Sequence, residues 1–446
     1  MHERLLVDSV FAAEICNVPL AKSRNSKFYT RIFMEYFKRV RTTELDGLPW
    51  NEKQEVSEKV VGIIRNNVNE IMQINSQAKK LELFIRYLSV DALSDLVEKV
   101  SVVDVHNKNI TYVLETILKK IEQQKTLTES CTNLLVSISN GIQKNIMKSF
   151  KSKGTNHIIR VLLRIKYNVE GLIDSIKKVP IEYILEDSTR TATFVEYLSY
   201  TSDEEKSKIV KHLLSILTVD HLKGYTSFLY EKVCKLSDDA QLDQIFLVIK
   251  PAVLELCRDE VGNYFMQTFI SVYDPAKVYK ILKPDIHGFN TNNNVVQTLL
   301  KRASDMGCTD ILESAIKRLF TIDTIMHTLL FHKTGGFDSK SYKLAIKLMC
   351  AKTKYQNALQ MQCVALYERY WLFNKVGQEI IISLLRYTNI SSEVITLLTS
   401  TMTKEFIGIH ESKGGSALLD AIYAVADRDT RRKIAMVRKR SHSCFE

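Results

Sequence analysis

The sequence predicts an all-α protein built of tandem helical repeats, and three observations lead there. Six prolines and fifteen glycines in 446 residues are too few for the many turns of an all-β chain. Apolar residues recur three and four apart, as in Ile209, Val210, Leu213, Leu214, Ile216 and Leu217, or in Tyr112, Val113, Thr116, Ile117 and Ile121. That is the period of an amphipathic helix. A helix-sized unit also recurs at intervals averaging about 39 residues, within the range of α-helical solenoid repeats. Length alone suggests about three domains, yet no Pro-, Ser- or Gly-rich linker divides the chain. Stacked repeats resolve the conflict, because each buries its apolar face against its neighbours and the array can have any length. The expectation is one solenoid over 1–446, with capping helices at both ends.

The unit is clearest in IKPAVLELCRDEVGNYFMQTFI, Ile249 to Ile270. Pro251 can open a helix, since a first-turn residue needs no amide donor. Val253, Leu254 and Leu256 form an apolar face, Gly262 breaks or caps the helix, and a second helix follows from Asn263. That second helix reads small or polar, polar, any residue, two apolar, two of any kind, two apolar. Taken in order, its polar position falls on Thr30, Leu81, Thr111, Asn156, Ala192, Thr226, Asn263, Asn293, Tyr342, Gln378 and Ser416. Leu81, Ala192 and Tyr342 match worst. The longest gaps predict insertions near residues 40–60, 120–145 and 305–330. The first contains DGLPWNEKQ, expected to be a loop because Gly47, Pro49 and Asn51 cluster there.

Lys and Arg total 62 against 51 Asp and Glu, a net charge of +11, which suits a polyanionic partner. The eight cysteines stand singly, none spaced C-x-x-C, as expected of reduced core thiols in an intracellular chain. Neither a structural zinc nor another cofactor is expected. No run of about 18 uncharged apolar residues suggests a membrane span, and Glu3, Asp8 and Glu14 argue against a targeting peptide. The P-loop, H-E-x-x-H and G-x-S-x-G signatures are absent, so no enzyme is expected.

KPAVLELCRDEVGNYFMQTFI resembles the Pumilio (PUF) RNA-binding repeat, in which a short helix and a Gly precede a helix carrying Asn-Tyr-x-x-Gln. Asn263, Tyr264 and Gln267 match that triplet, and Asn293, Asn294 and Gln297 match a variant of it. SKGTNHIIRVLLRI and SKGGSALLDAIYAV are similar to repeats of the nucleolar Pumilio-like family called nucleolar protein nine. The resemblance implies a C- or U-shaped solenoid of about eleven Pumilio-like repeats. It implies a monomer in the nucleus and nucleolus that binds single-stranded or structured pre-rRNA, meets pre-ribosomal proteins and serves small-subunit rRNA processing. Several copies lack a base-reading triplet, and the family's basic tails are nearly absent.

The triplet has a chemical logic. An amide offers a donor and an acceptor to the edge of an unpaired base. Residues one turn apart share a helix face, so Asn263 and Gln267 can bracket one edge while Tyr264 stacks. In the family this combination reads uracil. Copy by copy, Asn156, His157 and Arg160 keep an amide, a stacker and a cation. Thr111, Tyr112 and Glu115 keep a stacker between polar groups. Thr30, Arg31 and Met34 keep a guanidinium. Ser416, Ala417 and Asp420 lack a stacker, and Asp420 would repel phosphate. The copies at Ala192, Thr226 and Gln378 are expected to be structural. Lys144, Lys148, Lys151 and Lys153, and the C-terminal Arg431, Arg432, Lys433, Arg438, Lys439 and Arg440, are candidates for phosphates. Two other readings stand beside ribosome assembly: a Pumilio-type regulator of mRNA, and a HEAT- or armadillo-like protein scaffold.

Overall fold

The computed structural model describes residues 37, 42, 45, 47–101, 104–289, 293–332, 336–387, 395, 399 and 402–442. Among them the regular structure is helical, with no β-strand and one isolated bridge between Phe331 and Phe337. None of these helices is long and apolar enough to cross a membrane. The chain groups into two compact units, Met1–Leu213 and Leu214–Glu446.

In the first unit α1 (Asn75–Ile85), α2 (Lys108–Glu122), α3 (Lys153–Ile165) and α4 (Ser188–Tyr197) pack side by side in sequence order. In the second, α5 (Ser227–Leu236), α6 (Gly262–Val272), α7 (Asn294–Asp305), α8 (Tyr342–Cys350), α9 (Lys375–Tyr387) and α10 (Gly415–Val425) do the same. This is the architecture of a helical solenoid, in which every repeat packs on its sequence neighbours. The expected copies from Leu81 to Ser416 fall on or beside these helices. The copy at Thr30 lies outside the described residues.

The apolar pairs of the template form the core. Phe265, Met266, Phe269 and Ile270 of α6 are 0% exposed, as are Val113, Leu114, Ile117 and Leu118 of α2. Burial of each such side chain stabilises the fold by roughly 1.5–3 kcal/mol before entropy is counted. Side-chain caps mark helix starts that have no internal partner. Asn107 Oδ1 accepts from Asn109 and Ile110, and Asp187 Oδ1 from Thr189 and Arg190. Burial pushes the Cys257 and Cys363 thiols up to about 12.

The small position before the polar one has a steric reason. There the chain turns from the short helix into the ladder helix. A Cβ on Gly262 would come 3.2 Å from the Leu256 carbonyl oxygen, and one on Gly377 2.6 Å from that of Trp371. One on Gly415 would come 1.5 Å from the Ile409 oxygen. The same six-residue offset recurs each time, so the glycine permits close approach of two backbone segments.

Several expectations shift. The repeat has three helices where two were expected, as in Asp239–Ile249, Val253–Arg258 and then α6, with Pro251 in the 3-10 turn Lys250–Ala252. Much of the expected loop DGLPWNEKQ is helix: Trp50–Ile64 begins directly after Pro49, which is suited to lead a helix because it needs no amide donor. The expected insertion near 120–145 holds the helix Glu129–Gln143, capped by Thr128. That near 305–330 holds Thr309–Leu319 and Ile325–Leu330. The added segment of this repeat lies later, around the Phe331–Phe337 bridge.

Register moves in three copies. In α1, Leu81 is core beside Phe84 and Ile85. In α4 the polar position is Thr191, one residue before Ala192, because Phe194, Tyr197 and Leu198 are the buried residues. In α5 it is Ser227, one residue after Thr226, because Leu229 with Tyr230 and Val233 with Cys234 are the buried pairs.

Candidate nucleic-acid interface

The polar position of the triplet is mainly a structural bolt. In several repeats the polar side chain reaches back to carbonyls at or just beyond the end of the short helix before the ladder helix. Asn156 Nδ2 donates to the carbonyls of Phe150 at 2.7 Å and Ser152 at 2.9 Å, and the residue is 1% exposed. Thr191 Oγ1 donates to Ile184 O and Asp187 O. Gln378 Nε2 donates to Leu372 O. Asn263 Nδ2 donates to Asp259 O and Glu260 O, both at 2.8 Å. Thr111 is buried with Oγ1 bonded to Lys108 O. Asn156, Thr111 and the Asn263 amide group therefore leave the candidate base-reading set.

The next residue carries the exposed surface. Tyr264 is 58% exposed in the first turn of α6. Gln267, one turn on, donates through Nε2 to Asn263 Oδ1 at 2.9 Å, which fixes the side chain beside Tyr264. One ladder step earlier, Phe228 of α5 is half-buried at the same helical position, and Glu231 takes the place of Gln267. Glu231 Oε2 accepts from Thr268 Oγ1 of α6 at 3.1 Å, so the two steps are tied together. Phe228 and Glu231 were missed in the sequence because Tyr230 was not read as a core residue. Its burial shifts the template onto Ser-Phe-x-x-Glu.

In the first unit, Tyr112 of α2 and His157 of α3 occupy the same position, both exposed. Arg160 Nη2 lies 2.6 Å from His157 Nδ1, and Glu115 bonds Lys119 at 2.7 Å. Burial, then the Arg160 charge, hold the His157 imidazole below its ordinary pKa. At neutral pH the ring is a neutral platform that accepts from Arg160.

The second triplet is corrected by α7. Asn293 is the helix N-cap, its Oδ1 accepting from Val295 and Val296. Gln297 is 3% exposed and donates to Ser341 Oγ at 2.8 Å. Only Asn294 stays exposed. Arg31 lies outside the described residues.

The chain matches APUM23, a Pumilio-like protein, solved with GGAGUUGACGG: TM-score 0.65, 14% identity, covering 93% of this chain and 92% of that one. APUM23 with GGAUUUGACGG gives TM-score 0.63 and 15% identity over 92% of each chain. The fold is that of a Pumilio-repeat protein. No protein-family model matches the sequence, and neither does any curated protein.

The Pumilio-like ladder changes character along its second unit. At the Tyr264 position α8 carries Lys343, α9 Glu379 and α10 Ala417; at the Gln267 position they carry Ile346, Ile382 and Asp420. Glu379 accepts from Tyr342 Oη at 2.9 Å. Asp420 is paired with Arg438 of the helix Arg428–His442, so the repulsion expected from it is offset. Arg431 and Arg438 also lie over the Tyr423 ring, at 5.7 and 5.9 Å. Lys144, Lys148, Lys151 and Lys153 are all exposed near the start of α3. Among the described residues no three His, Cys, Asp or Glu side chains converge to hold a metal.

The bolt makes its own prediction. Asn156→Ala should cost about 1–3 kcal/mol of stability, since it removes the buried Nδ2 donor from the Phe150 and Ser152 carbonyls. RNA affinity of the folded variant should stay unchanged. Denaturant unfolding beside a binding titration checks this; weaker binding at unchanged stability would return Asn156 to the reading set.

Proposed function

We propose that the protein binds single-stranded RNA and acts by occupancy, without catalysis. Bases stack on Phe228 and Tyr264 in the second unit, and on Tyr112 and His157 in the first. The observation that carries this reading is Tyr264, 58% exposed beside the tethered Gln267, with Phe228 and Glu231 one ladder step earlier. A large aromatic held bare on a rigid helix is what a stacking platform requires. The Glu231 carboxylate only accepts hydrogen bonds, which suits guanine, whose pairing edge offers N1–H and N2–H₂. Gln267 keeps its carbonyl oxygen for a base such as uracil, which offers N3–H. One helical repeat per base is the logic of this class of module.

The RNA we propose is pre-rRNA, and the role is small-subunit rRNA processing in the nucleus and nucleolus, alongside pre-ribosomal proteins. The chain would act as a monomer through one repeat array over 1–446. Support comes from the likeness of the Asn156 and Ser416 copies to the nucleolar family, and from neighbours solved with RNA. The interrupted reading positions also favour this over an mRNA regulator with eight continuous readers. Crosslinking in cells followed by sequencing tests it. Pre-rRNA should dominate the recovered RNA; messenger 3′ ends instead would overturn the assignment, and no recovered RNA would favour the protein scaffold.

A further inference from the structure

The ladder step from α7 to α8 cannot read a base in the way α6 does. The α7 amide Gln297 is turned inward to Ser341. At α8 the edge residue is Ile346, which has no hydrogen-bonding group, and the platform residue is Lys343. Three lysines gather in its place. Lys343 is exposed in the first turn of α8, Lys347 stands one helical turn on, and Lys301 lies on α7, which packs against α8. Lys347 is paired with Asp305 of α7. Lys301 is half-buried and, among the described residues, makes no ion pair. Its ammonium is held below the usual lysine range first by burial, then by the Lys343 and Lys347 charges.

Surface lysines cost little when they are solvated and spread apart. A half-buried one near two further cations, only one of which is paired with a carboxylate among the described residues, is unfavourable in the free protein, and a bound anion relieves that penalty through charge-assisted hydrogen bonds. We infer that Lys301 and Lys343, with Lys347 oriented by Asp305, form a phosphate-binding step that grips one phosphodiester of a bound RNA strand and passes over its base. The ladder would then alternate base reading at α5–α6 with backbone grip at α7–α8. This inference rests on the RNA-binding reading above, but it concerns other side chains and another chemical group.

The test is a salt titration of binding by the full chain, using RNA selected by that chain from a random single-stranded pool. Lys301→Met and Lys343→Met keep the aliphatic stems, and Lys343→Met alone serves if the Lys301 variant unfolds. The double variant should bind about tenfold more weakly. The slope of log affinity on log salt should shrink by about 0.7, the value for one phosphate on a single strand. Discrimination between bases should be unchanged. Replacing single phosphates of the RNA by neutral methylphosphonates should reveal one position that weakens the native protein and leaves the variant unaffected. Unchanged affinity and slope in the lysine variants, with Tyr264→Ala still weakening binding, would overturn the phosphate step alone. Unchanged affinity in Tyr264→Ala, with the lysine effect present, would overturn base reading and leave the phosphate step standing.

Discussion

Replacing Phe228 and Tyr264 together with alanine is expected to weaken RNA binding by roughly 2 kcal/mol or more, about thirtyfold, because each removes a platform worth about 1–3 kcal/mol per stacked base. Tyr264 should carry the larger share, being 58% exposed, while Phe228 is half-buried and has less ring face to offer. The two changes should behave as neighbours and not simply add, since Glu231 and Thr268 tie the steps together. Salt dependence should stay as in the native protein, because no phosphate contact is removed. Tyr264→Ala should leave the melting temperature nearly unchanged. Fluorescence anisotropy against a selected RNA decides the matter; native affinity in the double variant would remove the stacking surface from this face. Gln267→Ala and Glu231→Ala probe the edges, and they should alter which base is preferred more than total affinity.

Gly415→Ala should destabilise the second unit by on the order of 3 kcal/mol. Its Cβ would stand 1.5 Å from the Ile409 carbonyl oxygen, and that atom belongs to the backbone of the helix Phe406–Glu411. A flexible side chain could move aside, but this backbone can yield only by parting from α10. Gly377→Ala should behave similarly against Trp371, whose backbone lies 2.5–2.6 Å away. Gly62 is the control: nothing lies within 4 Å of its added Cβ, and it sits inside the helix Trp50–Ile64. Gly62→Ala should therefore stabilise by up to about 1 kcal/mol through helix propensity alone. Denaturant unfolding of the three variants provides the comparison. Native stability in Gly415→Ala would show that the close approach is not required.

The repeat was legible because burial follows a simple rule. Ladder helices need two apolar pairs one turn apart, and chains such as Phe265, Met266, Phe269 and Ile270 declare it. The glycines at 262, 377 and 415 were legible as small positions, although the contact that demands them was not. In α5 the rule was misread through one side chain: Tyr230, aromatic with a hydroxyl, is core, and overlooking it displaced Phe228 and Glu231 by one residue.

The functional side chains were less legible, since amides have two uses. Asn156, Asn263, Asn293 and Gln297 carry the same functional group and look alike in sequence. Asn156 bonds the preceding short helix, Asn293 caps its own helix, and Gln297 reaches Ser341 in the next repeat. Each choice depends on which carbonyl, amide or hydroxyl the packing brings within reach, and sequence spacing carries no record of that. By itself the sequence determined a helical solenoid and the exposed Tyr264, since apolar periodicity alone fixes which helix faces are buried. The tertiary structure decided which polar residues remain free, because a buried hydrogen-bonding group takes the nearest partner that packing supplies.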